Sequence, residues 1–94
     1  MPLRIEQLVW LEDIAEKLRW KHSVEESEVI EVLENRPRFR LKETGHVVGE
    51  DVYAAFGRTN SGRLLSVFFV YTKDGRAIIV SARDMTAKEI QKYG

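Results

Sequence analysis

Apolar residues in the first third of the chain change from a strand-like to a helical period. Loose alternation over residues 3–9 predicts a short β-strand. Apolar residues then recur at spacings of three and four, which predicts a helix ending near Lys21. They are Leu11, Ile14, Ala15 and Leu18. Ser23 lies three residues before Glu26, the spacing of a capping box, and predicts the start of a second helix. Pro37 disfavours helical geometry at Arg36 and ends that helix.

The rest of the chain has the pattern of a β-sheet. The predicted strands cover residues 38–43, 51–58, 64–71 and 77–82. Residues 64–71 are apolar nearly throughout, which indicates a central strand covered on both faces. Asn60-Ser61-Gly62 predicts one turn, and Asp74-Gly75 predicts a hairpin into the last strand.

A second capping-box spacing, Thr86 to Glu89, predicts a final short helix that ends at Tyr93. The predicted order is therefore β-α-α-β-β-β-β-α. We interpret residues 1–94 as one α+β domain, in which helices pack on an antiparallel sheet.

Composition narrows the class of protein. The 94 residues include no cysteine, which removes disulfides and thiolate chemistry and is typical of a reducing intracellular setting. His22 and His46 each lack a second ligand at helical spacing, so we expect neither a metal site nor a cofactor. Acidic residues interrupt the N-terminal segment, and no apolar run approaches the length of a membrane span. These features predict a cytoplasmic protein.

The zero net charge hides a gradient along the chain. Residues 1–35 carry four bases and nine acids, net −5, whereas residues 36–94 carry eleven bases and six acids, net +5. The second segment could therefore meet a polyanion while the first meets a basic partner. The simpler alternative is that the acids only coat two solvated helices.

Two arginines flank neighbouring predicted strands. Arg63 precedes the strand at 64–71, and Arg83 follows the strand at 77–82. Antiparallel pairing through the hairpin places both at the same edge of the sheet, where two guanidinium groups could hold a phosphate. Alternatively, Arg83 pairs with Glu50, Asp51 or Glu89 and only fixes a helix.

Several short segments, in this order and at these intervals, resemble BrnT-type toxins, the ribonuclease half of type II toxin–antitoxin pairs. The similarity covers nearly the whole chain. The segments are Val9-Trp10, Lys21-His22 before Val24-Glu25-Glu26, Gly49-Glu50-Asp51, Gly57-Arg58, Gly62-Arg63-Leu64-Leu65, Ile79-Val80-Ser81-Ala82-Arg83, and the helix with Glu89 and Tyr93.

The resemblance implies a RelE-like fold and RNA cleavage that inhibits translation. It also implies a ribbon-helix-helix antitoxin, similar to BrnA, through which the complex binds operator DNA. Four positions depart from the family pattern, where Asp, Gly, Arg and a base are usual. They are Leu11, Ser23, Val52 and Asp84. The last two departures remove positive charge near the expected site.

Metal-independent RNA cleavage needs a base for the 2′-hydroxyl, an acid for the leaving oxygen and cations for the phosphorane. Arg83 and Arg63 suit the cationic role, and His22 is of the residue type that exchanges protons near neutral pH. Glu50 could act as the base or orient an arginine. Two further candidates bind substrate, Lys21 through phosphate and Tyr93 through stacking on a base.

Each candidate also has a structural interpretation. His22 and Lys21 could stabilise the end of a helix, Glu50 could belong to a turn, and Tyr93 could be packing. Trp10 and Trp20 are expected in the core. A rival hypothesis is a catalytically weak toxin fold that serves as the antitoxin's binding partner and co-repressor, which the absence of bases at positions 52 and 84 favours. Direct DNA binding is less favoured, because no helix is rich in bases.

Overall fold

The fold is described by a computed structural model of residues 3–43 and 50–94. These residues form strands and helices in the predicted order β-α-α-β-β-β-β-α. The strands are β1 (Gln7–Trp10), β2 (Arg38–Glu43), β3 (Glu50–Arg58), β4 (Leu64–Thr72) and β5 (Arg76–Asp84). The helices are α1 (Ile14–His22), α2 (Glu26–Glu34) and α3 (Ala87–Tyr93). His46 and Gly49, which entered the sequence analysis, lie outside the described residues.

The sheet has the strand order β1-β5-β4-β3-β2. Strands β2 to β5 form the predicted antiparallel meander, joined through neighbouring pairs. Strand β1 adds a parallel pair with β5, so the sheet is mixed, although it is mostly antiparallel. The central position of β4 confirms the interpretation of residues 64–71.

The two faces of the sheet carry unequal cores. On the helix face, which α1 and α2 cover, Leu65, Val67 and Phe69 of β4 are fully buried against both helices. On the opposite side, the α3 face, a smaller cluster is centred on Phe56 and Met85. Strand β4 is therefore covered on both sides, but α3 is short and leaves part of the second face half-buried.

The predicted cap of the second helix is wrong. Ser23 ends α1 with a left-handed backbone (φ 54°) and donates its N–H to the carbonyl of Leu18. Glu25 caps α2 instead, in a reciprocal capping box with Glu28. The shift follows from Val24, whose side chain is fully buried, since the chain must turn inward there before α2 begins.

Most other predicted boundaries agree with the structure, but β1 spans Gln7–Trp10 rather than residues 3–9, and Leu11 lies before α1 and is 51% exposed rather than on its apolar face. Thr86 accepts from the N–H of Glu89 at 3.2 Å, and the Glu89 carboxylate accepts from the N–H of Thr86 at 2.9 Å, which confirms the last capping box. Arg36 leaves helical geometry before Pro37, with φ at 51°. Gly75 has φ at 87° in the hairpin turn, a conformation that favours glycine.

Trp20 is not a core residue, contrary to expectation. Its side chain is 75% exposed, because Leu18 occupies the buried side of α1 and a residue two positions later lies on the other side of a helix. Trp10 packs against the main core and is half-buried. None of the helices formed by the described residues has the length and apolar character needed to cross a membrane.

We expect Phe69→Ala to lower the free energy of unfolding by about 3–5 kcal/mol, because it opens a cavity in the middle of β4. The Phe69 ring contacts the rings of Phe39 and Tyr53 at centroid distances of 6.0 and 6.1 Å. Urea unfolding gives the measurement. The control is Leu41→Ala on exposed β2, with an expected change below about 0.5 kcal/mol. Equal losses of stability in the two variants would contradict the assignment of β4 as the core strand.

Candidate active site and nucleic-acid interface

Arg83 meets a carboxylate at the end of β5. Its Nη1 and Nη2 donate to Oε1 and Oε2 of Glu89 at 2.7 and 3.0 Å, a two-pronged ion pair between the sheet and α3. The guanidinium carbon also lies 5.1 Å from the ring centroid of Phe68. The side chain of Arg83 remains 34% exposed in the ion pair.

Glu89 is the centre of a polar group on the α3 face. Besides Arg83, its carboxylate accepts from the hydroxyl of Ser66 at 2.8 Å and from the N–H of Thr86. The hydrogen bonds from Arg83 first, and then those from Thr86 and Ser66, lower the pKa of Glu89 to about 2. Glu89 is therefore an anion at neutral pH that orients Arg83, rather than a general base.

Arg63 joins three elements on the helix face. Its Nε donates to Asp84 at 2.8 Å, and its Nη1 donates to the carboxylate of Glu28 at 3.1 Å. The carbonyls of Ser23 and His22, at the end of α1, accept from Nη1 and Nη2 at 2.7 and 3.2 Å. The hydrogen bonds that Arg63 donates to Asp84 and Glu28 raise its pKa. This guanidinium stabilises the C-terminal end of α1 as well as the two carboxylates.

The two arginines lie at the same end of the sheet, as predicted, but on different faces. Arg83 pairs in register with Ser66 on the α3 face, whereas Asp84 pairs with Leu65, whose side chain belongs to the helix-face core. Because successive strand residues point to opposite faces, Arg63, which binds Asp84, lies across the sheet from Arg83. The two guanidinium groups do not converge on one anion site in this arrangement.

His22 and Lys21 end α1 beside Arg63. His22 is half-buried and close to Asp84, whose pKa is lowered mainly by Arg63 and additionally by the charge of His22. Lys21 is exposed. The end of β5 therefore has His22, Arg63 and Asp84 on one face and Arg83 with Glu89 on the other.

Glu50 lies far from these residues. It begins β3 and pairs in register with Thr72, whereas Arg58 at the other end of β3 pairs with Leu64, next to Arg63. At about 3.3 Å per residue, the length of β3 separates Glu50 from the arginines by roughly 25 Å. The alternative in which Arg83 pairs with Glu50 or Asp51 is wrong, since Glu89 is its partner.

Tyr93 lies in a basic surface that the sequence analysis did not identify. Its ring stacks on Phe56 with centroids 4.1 Å apart and planes 5° apart. The guanidinium of Arg40 lies 5.4 Å from the Tyr93 centroid, and Lys92 Nζ lies 5.5 Å from it. A pocket of about 420 Å³ beside the ring brings in further arginines. We call this set the Tyr93 surface: Arg36, Arg38, Arg40, Lys42, Arg58, Phe56, Lys92 and Tyr93.

Alternation along β2 produces this surface. Arg38 and Arg40 pair in register with Phe56 and Ala54, which belong to the α3-face core, so both bases point to that face. None of the ion pairs among the described residues involves a cation of the Tyr93 surface. The sequence contained the signal, three bases at alternate positions of one strand, but the signal alone did not indicate which face carries the aromatic rings.

We expect the Arg83–Glu89 ion pair to make the free energy of unfolding depend on pH in the acid range. The pKa of Glu89 is about 2 in the folded chain and its ordinary value is 4.5, so the unfolded chain binds the proton first. The stabilisation is therefore complete above pH 4.5 and declines as the pH falls towards 2. Unfolding in urea across this range should show a flatter profile for Glu89→Gln, which retains a residue suited to the capping box.

The matched control is Glu50→Gln, which changes an exposed carboxylate at the far end of β3. This variant should follow the native pH profile. A Glu89→Gln protein with the native slope between pH 4.5 and 2 would contradict the assigned cause of the shift.

Comparison with known proteins assigns the chain to a family. A family profile described as the ribonuclease toxin BrnT of type II toxin–antitoxin systems matches residues 10–89. No curated protein matches the chain. Among solved structures, the 1.1 Å crystal structure of the Brucella abortus ribonuclease toxin BrnT is similar, with a TM-score of 0.62 and 17% sequence identity. The match covers 85% of this chain and 96% of the Brucella chain and shows a shared fold. Since the profile spans most of the sequence, the chain belongs to the BrnT family of ribonuclease toxins of type II toxin–antitoxin systems.

Proposed function

We propose that this chain is an endoribonuclease toxin that cleaves RNA by metal-independent acid–base chemistry in the cytoplasm and so inhibits translation. The observation that carries the proposal is the Tyr93 surface, where bases that form no ion pair within residues 3–43 and 50–94 surround a stacked aromatic pair on the same face as Arg83. Such a surface suits single-stranded RNA, since arginines can contact phosphates while an aromatic ring stacks on a base.

In the proposed complex, RNA lies along the α3 face from β2 towards the end of β5. Tyr93 is the proposed stacking partner of a base, which would take the place that the cations of Arg40 and Lys92 occupy over the ring. Arg38 and Arg40 contact phosphates, and Arg83, whose guanidinium is fixed by Glu89, reaches the scissile phosphate. Glu89 accepts from Nη1 and Nη2, and the carbonyl of Asp84 accepts from Nη1 as well, so the edge formed by Nε and Nη2 is the part of the guanidinium that would bind two oxygens of a phosphorane.

The chemical step is an attack by the 2′-hydroxyl on the adjacent phosphorus. A bond forms between the 2′-oxygen and phosphorus, and the bond to the 5′-oxygen breaks, which leaves a cyclic phosphate and a 5′-hydroxyl. His22 is the proposed proton-transfer group, which takes the proton of the 2′-hydroxyl and returns it to the 5′-oxygen. Because His22 lies on the helix face with Asp84 and Arg83 lies on the α3 face, this role requires the scissile segment of the RNA to pass over the end of β5. Lys21, exposed next to His22, would hold a neighbouring phosphate.

The structure supports different roles for the remaining candidates. Arg63 directs its donors to internal acceptors, including the carbonyl of His22, so we propose that it positions His22 rather than binding RNA. Glu50 is outside the proposed site, because it lies at the other end of β3.

Membership of a type II toxin–antitoxin family implies an antitoxin partner. We propose that this partner is a BrnA-like ribbon-helix-helix protein. Operator DNA would then be bound only through the antitoxin in the complex.

A second function has specific support. Asp84 stands where the family resemblance implies a base, and it forms an ion pair with Arg63, while Glu89 forms one with Arg83. Both arginines are therefore partly neutralised within the fold. This favours, as the alternative, a weakly active toxin fold that acts mainly as the antitoxin's partner and co-repressor.

We expect Arg83→Lys to reduce RNA cleavage by about 100-fold, because lysine keeps the charge but cannot present two parallel donors to the phosphorane. Cleavage of a defined RNA by purified, folded protein is the measurement, with melting curves recorded in parallel. Glu89→Gln is the matched control, since it breaks the same ion pair and leaves Arg83 in place. It should melt lower but retain more activity per folded molecule than Arg83→Lys.

A purely structural role of Arg83 predicts a different result for these two variants. If the residue only fixes α3, Arg83→Lys and Glu89→Gln should lose activity equally, in proportion to the unfolded fraction. Full cleavage by a folded Arg83→Ala protein would exclude the proposed nuclease site.

We expect the double variant Arg38→Gln and Arg40→Gln to bind single-stranded RNA more weakly, because both bases face Tyr93 and lack internal ion pairs. The slope of log affinity against log salt should fall by about 0.7 for each phosphate that the variant no longer neutralises. Binding titrations at several salt concentrations give both quantities. Arg76→Gln removes a cation at the opposite end of the sheet and should leave affinity and slope unchanged. If the double variant and Arg76→Gln changed affinity and slope equally, the Tyr93 surface would not be the RNA interface.

A further inference from the structure

A groove of about 890 Å³ opens on the helix face beside β2. Its walls are the segment before β1 with the first two residues of β1, one side of α2, and the edge strand β2 with the turn before it. The apolar lining consists of Leu3, Ile5, Leu8, Ile30, Leu33, Pro37 and Phe39. We call this space the β2 groove.

The groove marks a place where the layer of helices ends before the sheet does. α1 packs on β5 and α2 packs on β3 and β4, so the outermost strand β2 has less cover. Leu41 continues the line of Phe39 along the helix face of β2, and its side chain is 54% exposed. Ile30 on the opposite wall is 37% exposed. Ile30 of α2 and Phe39 of β2 thus line the same open space, and Leu41 continues the exposed apolar surface beyond it.

The rim of the groove has an excess of positive charge that is not neutralised within the fold. Arg36, Arg38 and Arg40 line it, and none of them forms an ion pair within the described part of the chain. Since the side chains of Arg38 and Arg40 turn to the α3 face, their guanidinium groups would meet a ligand of the groove only around the open edge of β2. On the acidic side, Glu6 is neutralised by Arg4 at 2.7 Å, which leaves Glu34. A complementary ligand would therefore combine an apolar face with acidic residues.

Two residues are shared between this groove and the proposed RNA surface. Arg36 and Arg38 border the β2 groove and also line the pocket beside Tyr93. Acidic groups seated at the rim would engage cations that RNA phosphates also need. Occupation of the groove and binding of RNA would then compete, although the groove and the Tyr93 ring lie on different faces of β2.

We propose that the β2 groove binds an acidic, apolar-faced segment of the antitoxin, and that this contact excludes RNA from the Tyr93 surface. The inference rests on the proposed function, since it takes RNA as the substrate and the antitoxin as the partner. It adds the docking surface, the chemistry of the docked segment and the means of neutralisation.

The test uses the full chain and the protein encoded by the adjacent reading frame, purified separately. Ile30→Glu places a negative charge among the apolar residues of the groove and should weaken binding by tenfold or more, on the order of an interface anchor. Leu11→Glu is the matched control, because Leu11 is 51% exposed and lies outside the groove. It should change the affinity by less than about twofold.

Ile30→Ala is the second groove variant. It removes apolar contact without adding charge, so it decides the question if the glutamate variant does not fold. We expect a smaller decrease in affinity in the same direction. RNA cleavage by either folded Ile30 variant in the absence of antitoxin should remain within about twofold of the native rate, because Ile30 lies outside the proposed catalytic and RNA-binding residues.

Competition supplies the second measurement. A labelled single-stranded RNA bound to the native chain should be displaced by the antitoxin, and Ile30→Glu should resist this displacement. A ternary complex of chain, RNA and antitoxin would overturn the proposal. So would native antitoxin affinity in both Ile30 variants, or a homodimer of the chain alone that Ile30→Glu dissociates.

The outcomes separate this inference from the proposed function. If the chain cleaves RNA but the adjacent product does not bind, or binds independently of Ile30, the groove proposal fails and the nuclease proposal stands. If the product binds in the groove but no RNA is bound or cleaved, the nuclease proposal fails together with the exclusion of RNA, and docking alone remains.

Discussion

The alternation of the last two residues of β5 fixes the architecture of one whole end of the molecule. Arg83 points to the α3 face and binds Glu89, while Asp84 points to the helix face and binds Arg63. Through Arg63, the second pair also reaches Glu28 and the end of α1. A slip of one residue in the register would exchange the two charges between the faces and break both sets of ion pairs. All three helices therefore depend on the same register.

This arrangement separates binding from chemistry in the proposed nuclease. Glu89 has a pKa of about 2, so Arg83 is always partly neutralised, and its contribution is an oriented pair of donors rather than long-range attraction. The attraction for RNA must come from bases without internal ion pairs, and these lie on β2 around Tyr93. Asp84 further reduces the attraction for RNA at the end of β5, because it stands where the family pattern has a base and because it neutralises Arg63.

Periodicity and turn chemistry were sufficient for the order of elements, because Asp74-Gly75 and the apolar run of β4 are local signals that the tertiary structure did not override. Contacts between distant segments were not predictable. Ser23 has the spacing of a cap, but burial of Val24 moved the cap to Glu25.

For the site, the hairpin between β4 and β5 was sufficient to predict that Arg63 and Arg83 lie at the same end of the sheet. It did not predict that they lie on opposite faces, since the face depends on the register within β5. Glu50 was grouped with them as a possible partner of Arg83 and by family similarity, but the length of β3 separates them.

The edge strand β2 contributes to both proposed surfaces, because its side chains alternate between the two faces of the sheet. Its bases Arg38 and Arg40 turn to the α3 face, and its apolar residues Phe39 and Leu41 turn to the helix face. An ordinary edge strand with this pattern would bury its apolar side under a helix, but α2 packs mainly on β3 and β4. The strand therefore offers cations on one side and uncovered apolar surface on the other. Because Arg36 and Arg38 line both the β2 groove and the pocket beside Tyr93, a ligand seated on either side comes within reach of the same two arginines. Mutual exclusion of two ligands then needs no conformational change in the protein, only competition for those guanidinium groups.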